Sequence, residues 1–228
     1  MKMSFNHRQN PGQRSAAFTM VEIALCLAII GFALVAIIGV LPLGLQTQKD
    51  NRADTIINKD GMLLMEAIRS GARGFDELTN YVDAIFISRN GQKPQTNRFL
   101  ATGQQIIGLL STPKYIDLRN GKFLTNTVTA SMRAISGSAT EHVPSASSRD
   151  LAFTYLVRSE IIPFTNAPVE FVPTNHLATN LYELRLRFLW PVLANGNAGE
   201  GRKTFRTLVN GHLIQTNQGR QTLYFFQH

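Results

Sequence analysis

The stretch "AAFTMVEIALCLAIIGFALVAIIGVLPLGL" fills residues 16–45 of a 228-residue chain. From Phe18 onward every residue is apolar or nearly so, except Glu22. Residues 23–45 are 23 consecutive positions without a formal charge. As a helix they would reach about 34 Å, enough for a bilayer core of about 30 Å. A run this long and this free of polar side chains reads as a membrane span rather than a buried soluble helix. It does not read as an ordinary secretory signal, whose apolar region is shorter and is followed by small residues at the cut. Here Ser15, Ala16 and Ala17 precede the run, and "LPLGLQTQKD" at 41–50 offers no such site. The leader is basic, with Lys2, Arg8 and Arg14, and holds no acid before Glu22. The small residues therefore stand where a peptidase working at the cytoplasmic face would cut.

The segment Ala17-Phe18-Thr19-Met20-Val21-Glu22 resembles the class III signal of type IV pilins and type II secretion pseudopilins. In that family a small residue precedes Phe-Thr-Leu-Ile/Val-Glu and a long apolar helix; Ala17 stands where Gly is usual. The resemblance covers about the first quarter of the chain. It implies cleavage between Ala17 and Phe18 by a prepilin peptidase, N-methylation of Phe18, and an assembly role for Glu22. It also implies other pilin-like subunits, an assembly platform protein and an ATPase as partners.

The physics of Glu22 is compatible with that role. A carboxylate inside a membrane segment is costly and is by default a functional hypothesis. Cleavage would leave a cationic amine on Phe18, one helical turn away, in the same chain or in a neighbour. The alternative is a carboxylate at headgroup level that reaches water. Basic residues do not set the orientation, because Lys2, Arg8 and Arg14 on one side are matched by Lys49, Arg52 and Lys59 on the other. The motif implies a cytoplasmic N-terminus, a single pass through the bacterial inner membrane and a periplasmic head. Ala24 and Ala28 have the spacing that lets membrane helices approach closely. Cys26 reads as a small packing residue; as the one cysteine it forms no intrachain disulfide. Pro42 and Gly44 are expected to weaken or kink the helix.

Beyond the apolar run, Ala53, Ile56, Ile57, Leu63, Leu64, Ala67 and Ile68 continue a helical period, so one helix is expected from about Thr19 to Ser70, with Gly71 and Gly74 as stops. A shorter helix is expected in "FDELTNYVDAIF" (75–86), with Phe75, Leu78, Val82 and Ile85 on one face, and another in "GQQIIGLLS" (103–111). From about Thr125 the period turns to two. Strands are expected in "NTVTASMRAI", "DLAFTYLVRSEI", "NLYELRLRFLWPV", "KTFRTLVNG" and "QTLYFF". A hairpin loop is expected at "LANGNAGEG" (193–201). Residues 136–148 and 163–180 read as linkers. The expected fold is α+β, a long N-terminal membrane-spanning helix packed on a C-terminal antiparallel sheet, as in pilins. The expected divisions are a leader (1–17), a transmembrane half-helix (18–45), a soluble half-helix (46–74) and a head (75–228).

No catalytic constellation emerges. Ser111-Thr112-Pro113-Lys114 fits S-x-x-K but lacks its partner motifs, since Lys203-Thr204 is followed by Phe205. The histidines are scattered, without zinc spacing. Asn195, Asn197 and Glu200 carry oxygen donors, but one carboxylate suits a turn better than a calcium site. The chain reads as a non-enzyme without cofactor or metal. Loss of the three leader cations would lower the formal charge from +8 to +5. Arg185, Arg187 and Arg206 could share a sheet face and meet phosphates. Without interleaved aromatics a solvated face is the better reading, and nucleic acid is not the expected partner. Two functions are carried forward: a subunit of a pilus-like or pseudopilus filament, or a membrane-anchored surface binding protein such as a tip adhesin or DNA-uptake pilin.

Overall fold

The computed structural model describes residues 18–71, 75–98, 100–117, 123–137, 153–164, 180–219 and 221–227. The leader with Ala17, the stop at Gly74, and most of both linkers (138–148 and 165–179) lie outside these residues. Helix α1 spans Met20–Ser70, and its 51 residues run through Pro42 and Gly44 without interruption. It ends where Gly71 takes a left-handed φ of 73° and its N–H donates to the Ile68 carbonyl, an arrangement only glycine adopts cheaply.

The chain divides into two compact units, residues 1–50 and 51–228. In the first, the described residues are α1 as far as Asp50 and the two residues preceding it. Every large apolar side chain from Phe18 to Leu45 is exposed, and the segment is long and apolar enough to cross a membrane. That makes it a candidate anchor.

The second unit is α+β. A 3-10 turn at Asp76–Asn80 leads into strand β1 (Val82–Arg89), then β2 (Gln95–Asn97), helix α2 (Gly103–Leu110), β3 (Tyr115–Asp117), β4 (Phe123–Arg133), β5 (Thr154–Pro163), β6 (Leu181–Val192), β7 (Ala198–Asn210), β8 (His212–Gln218) and β9 (Gln221–Gln227). The main sheet has the order β2-β1-β4-β5-β6-β7, with β3 paired to β4; β8 and β9 form a separate hairpin. Every pairing between these strands is antiparallel. Period-two alternation decides the inward face. Tyr155, Val157 and Ile161 from β5 and Leu184, Leu186 and Phe188 from β6 are fully buried, together with Ile57, Leu64 and Ile68 of α1. The rings of Tyr155, Phe188 and Phe205 step across β5, β6 and β7 with centroids 5.4 Å apart.

One expectation fails. Residues 75–86 are not a helix; they are the 3-10 turn followed by β1. The cause is a bulge. Register shifts between Val82 and Ala84, so Val82 and Ile85 both join the core although they are three residues apart. That break produces the Leu78, Val82, Ile85 spacing, which imitates a helical stripe. The β-branched and aromatic run from Ile85 to Ile87 favours the strand. The hairpin loop is shorter than expected: only residues 193–197 turn, because β7 begins at Ala198.

Candidate functional site

Glu22 caps its own helix. Thr19 precedes the first turn of α1, and its N–H and hydroxyl both donate to Glu22 Oε2 at 2.9 Å. The Glu22 N–H donates back to Thr19 Oγ1 at 3.3 Å. This reciprocal pair is a capping box, which satisfies helix N–H groups that have no carbonyl to bond. Phe18 lies beside it and is 81% exposed. Thr19 and Glu22 are thus brought together, whereas Ala17 is outside the described residues. The signal was in the sequence, as Thr-x-x-Glu directly before an apolar run.

A second polar site lies inside the head. Asp60 is fully buried on α1. Its Oδ2 accepts from the Ile135 N–H at 2.9 Å and the Tyr155 hydroxyl at 2.8 Å, and its Oδ1 from the Ser136 N–H at 2.9 Å. One carboxylate on the helix therefore ties the segment after β4 and the middle of the sheet to α1. Burial, and then the adjacent Asp60 charge, push the Tyr155 hydroxyl well above its ordinary range. Sequence reasoning passed over Asp60. The available signal was its position three and four residues from Ile57, Ile56 and Leu64 on the apolar stripe, where a charge is rarely buried without partners.

The S-x-x-K pair is not assembled. Ser111 is buried beyond the end of α2 with its hydroxyl unpartnered, while Lys114 Nζ pairs with Glu160 at 3.2 Å. Asn195 Oδ1 accepts the Asn197 N–H at 2.9 Å and so closes the β6–β7 turn. An open depression of about 430 Å³ is lined by Asn51, Arg52, Thr55, Ile56, Ser136 and Gly137. Thr55 and Ser136 bring hydroxyls, but these residues supply no carboxylate, imidazole or thiol to act as a base for them.

The sequence-predicted arginines do share one face, the outer face of the sheet. Arg185 lies directly opposite Arg206, and Arg187 is two residues along β6 from Arg185. Arg185 also makes a two-pronged contact with Glu183, at 2.7 and 2.6 Å. The hydrogen bond, followed by the guanidinium charge, holds the Glu183 carboxyl below its usual range. No family model, curated protein or solved structure matches this chain.

Proposed function

We propose that this chain is a structural subunit of a pilus-like or pseudopilus filament. In this reading it is inserted in the bacterial inner membrane with its N-terminus cytoplasmic and its head periplasmic. Prepilin peptidase cleaves it between Ala17 and Phe18, Phe18 is N-methylated, and the protein joins other pilin-like subunits through a platform protein and an assembly ATPase.

The observation that carries the reading is Glu22, the one charged residue between Phe18 and Leu45 of a segment apolar enough to span a membrane. It follows a Phe-Thr start and a basic leader. An α+β head with helix residues 51–70 on an antiparallel sheet is compatible with this role. Only Oε2 of Glu22 takes the bonds from Thr19 among the described residues. The other oxygen is thereby left for a neighbour's terminal amine, an interaction strengthened by the low dielectric of a lipid or filament core. The test is intact mass and N-terminal sequencing of the protein from its native membranes. A start at Phe18 carrying one added methyl is expected. A Met1 start would leave an ordinary anchor, and a start beyond Leu45 would make the run a secretory signal; either result overturns the proposal.

A further inference from the structure

The outer face of β5, β6 and β7 carries an unusual arrangement of charge. Antiparallel partners on a solvated sheet face normally alternate in sign, because like charges directly opposite destabilise the pair. Here Arg158 faces Arg187 across β5 and β6, and Arg185 faces Arg206 across β6 and β7. Arg202 extends the group on β7. Among the described residues, Arg158, Arg187 and Arg206 form no ion pair. Arg158 Nε is buried without a hydrogen-bond partner. Three carboxylates share this face: Glu160 lies opposite Arg185 and pairs with Lys114, Glu183 is held by Arg185, and exposed Glu200 lies two residues before Arg202, so the arginines outnumber the acids five to three. Apolar side chains are interleaved with the arginines: Leu156 lies opposite Leu189, one step along from the Arg158–Arg187 pair, and Leu189 lies opposite Arg202. Leu208 is 49% exposed.

We propose that this face is a docking surface for an acidic protein partner, one that presents Asp or Glu carboxylates spaced between leucine-sized apolar side chains. Charge complementarity and composition select this occupant. Arginine mixed with aliphatic surface is the composition of a protein interface, where the guanidinium fork takes a carboxylate in two-pronged fashion. The described outer face of β5–β7 lacks aromatic side chains, since Tyr155, Phe188 and Phe205 belong to the core side. A stacking platform for single-stranded nucleic acid needs them there. A second copy of this chain fits poorly. Its formal charge is +8, so two copies repel each other. The surface is a property of the head and stands whether or not the chain is processed or polymerises.

The test uses the full chain in a neutral detergent. Fluorescence anisotropy is read against a labelled peptide of alternating Glu and Leu, and separately against a labelled oligothymidylate. Saturable binding of the peptide is expected, weakening as salt rises. In Arg158→Gln/Arg187→Gln and in Arg202→Gln/Arg206→Gln the peptide affinity is expected to fall at least about tenfold, with a thermal midpoint no lower than that of the parent. Absence of peptide binding, or unchanged affinity in both variants, would overturn the proposal. Tighter, arginine-dependent binding of the oligonucleotide would make the face a nucleic-acid surface. A lowered thermal midpoint in both variants would make the arginines structural.

Discussion

Two carboxylates show what one residue contributes when it sits on an apolar stretch of helix. Asp60 is held by three donors, so Asp60→Ala would leave two backbone N–H groups and the Tyr155 hydroxyl without an acceptor. At about 1–3 kcal/mol for each orphaned donor, partly relieved by water, the expected loss is on the order of 3–5 kcal/mol in urea unfolding. Tyr155→Phe removes only one donor and is expected to cost about 1–2 kcal/mol. Tyr155 also makes stability depend on pH. Its raised pKa means that the folded state keeps a proton the unfolded chain releases at about pH 10. Its contribution is therefore complete below that pH and is lost as pH rises beyond it. Tyr182 and Tyr224 are shifted the same way by burial and add to the loss. Urea midpoints taken upward from neutral pH are expected to fall less steeply in Tyr155→Phe than in the parent. Under the proposed function Glu22 has two roles, and a substitution separates them. As a cap it can be replaced, because glutamine serves at the same position of a capping box. As the partner of a terminal amine it cannot, because glutamine carries no charge. Glu22→Gln is expected to leave the protein in the membrane with α1 intact and to abolish filament assembly, scored by shearing and immunoblotting of assembled material. Normal assembly of the Gln variant would reduce Glu22 to a cap.

At the scale of elements, close approach between backbones is governed by glycines whose missing Cβ has nowhere to go. A Cβ on Gly103 would fall on the Phe75 carbonyl, which is backbone at the head of the 3-10 turn. A Cβ on Gly61 would meet the Phe205 ring, with its nearest carbon at 2.5 Å. Backbone cannot swing aside as a ring can, and alanine returns up to about 1 kcal/mol of propensity inside a helix. Gly103→Ala is therefore expected to destabilise by about 3 kcal/mol and Gly61→Ala by about 1 kcal/mol, compared by thermal or urea unfolding. The same elements show what the sequence discloses. α1, α2 and the long strands β4 to β7 were legible because many residues repeat one period and are closed by a glycine or a turn. β2 and β3 are three residues each, too short for any period. β8 was not legible because it is largely exposed and polar, and its strand state comes from pairing with β9. β1 was misread because one bulge put Val82 and Ile85, three residues apart, on the core face.

At the scale of the molecule, the candidate sites were unequally visible. The motif around Phe18 and Glu22 is local and could be read directly. The Asp60 contacts join residues 75 to 95 positions apart, and the arginine rows depend on strand register. Neither long-range pairing nor register is encoded in any short window. The division of the chain at Asp50 leads to one further expectation. Every buried core residue of α1 lies at or beyond Ala53, while the exposed apolar side chains from Phe18 to Leu45 all precede it. The ties that fix the helix to the sheet, Asp60 with Tyr155 and Asp54 with Lys203 at 2.7 Å, also lie after residue 50. A chain beginning at Asn51 thus keeps its core and sheds a surface that water would not tolerate as a contiguous apolar patch. It is expected to fold and remain monodisperse without detergent, with a cooperative thermal transition by circular dichroism and a single peak on size exclusion, whereas the full chain aggregates under the same conditions. A truncated chain without a cooperative transition would show that the first unit is needed for the head to fold, and would locate stability upstream of the sheet contacts.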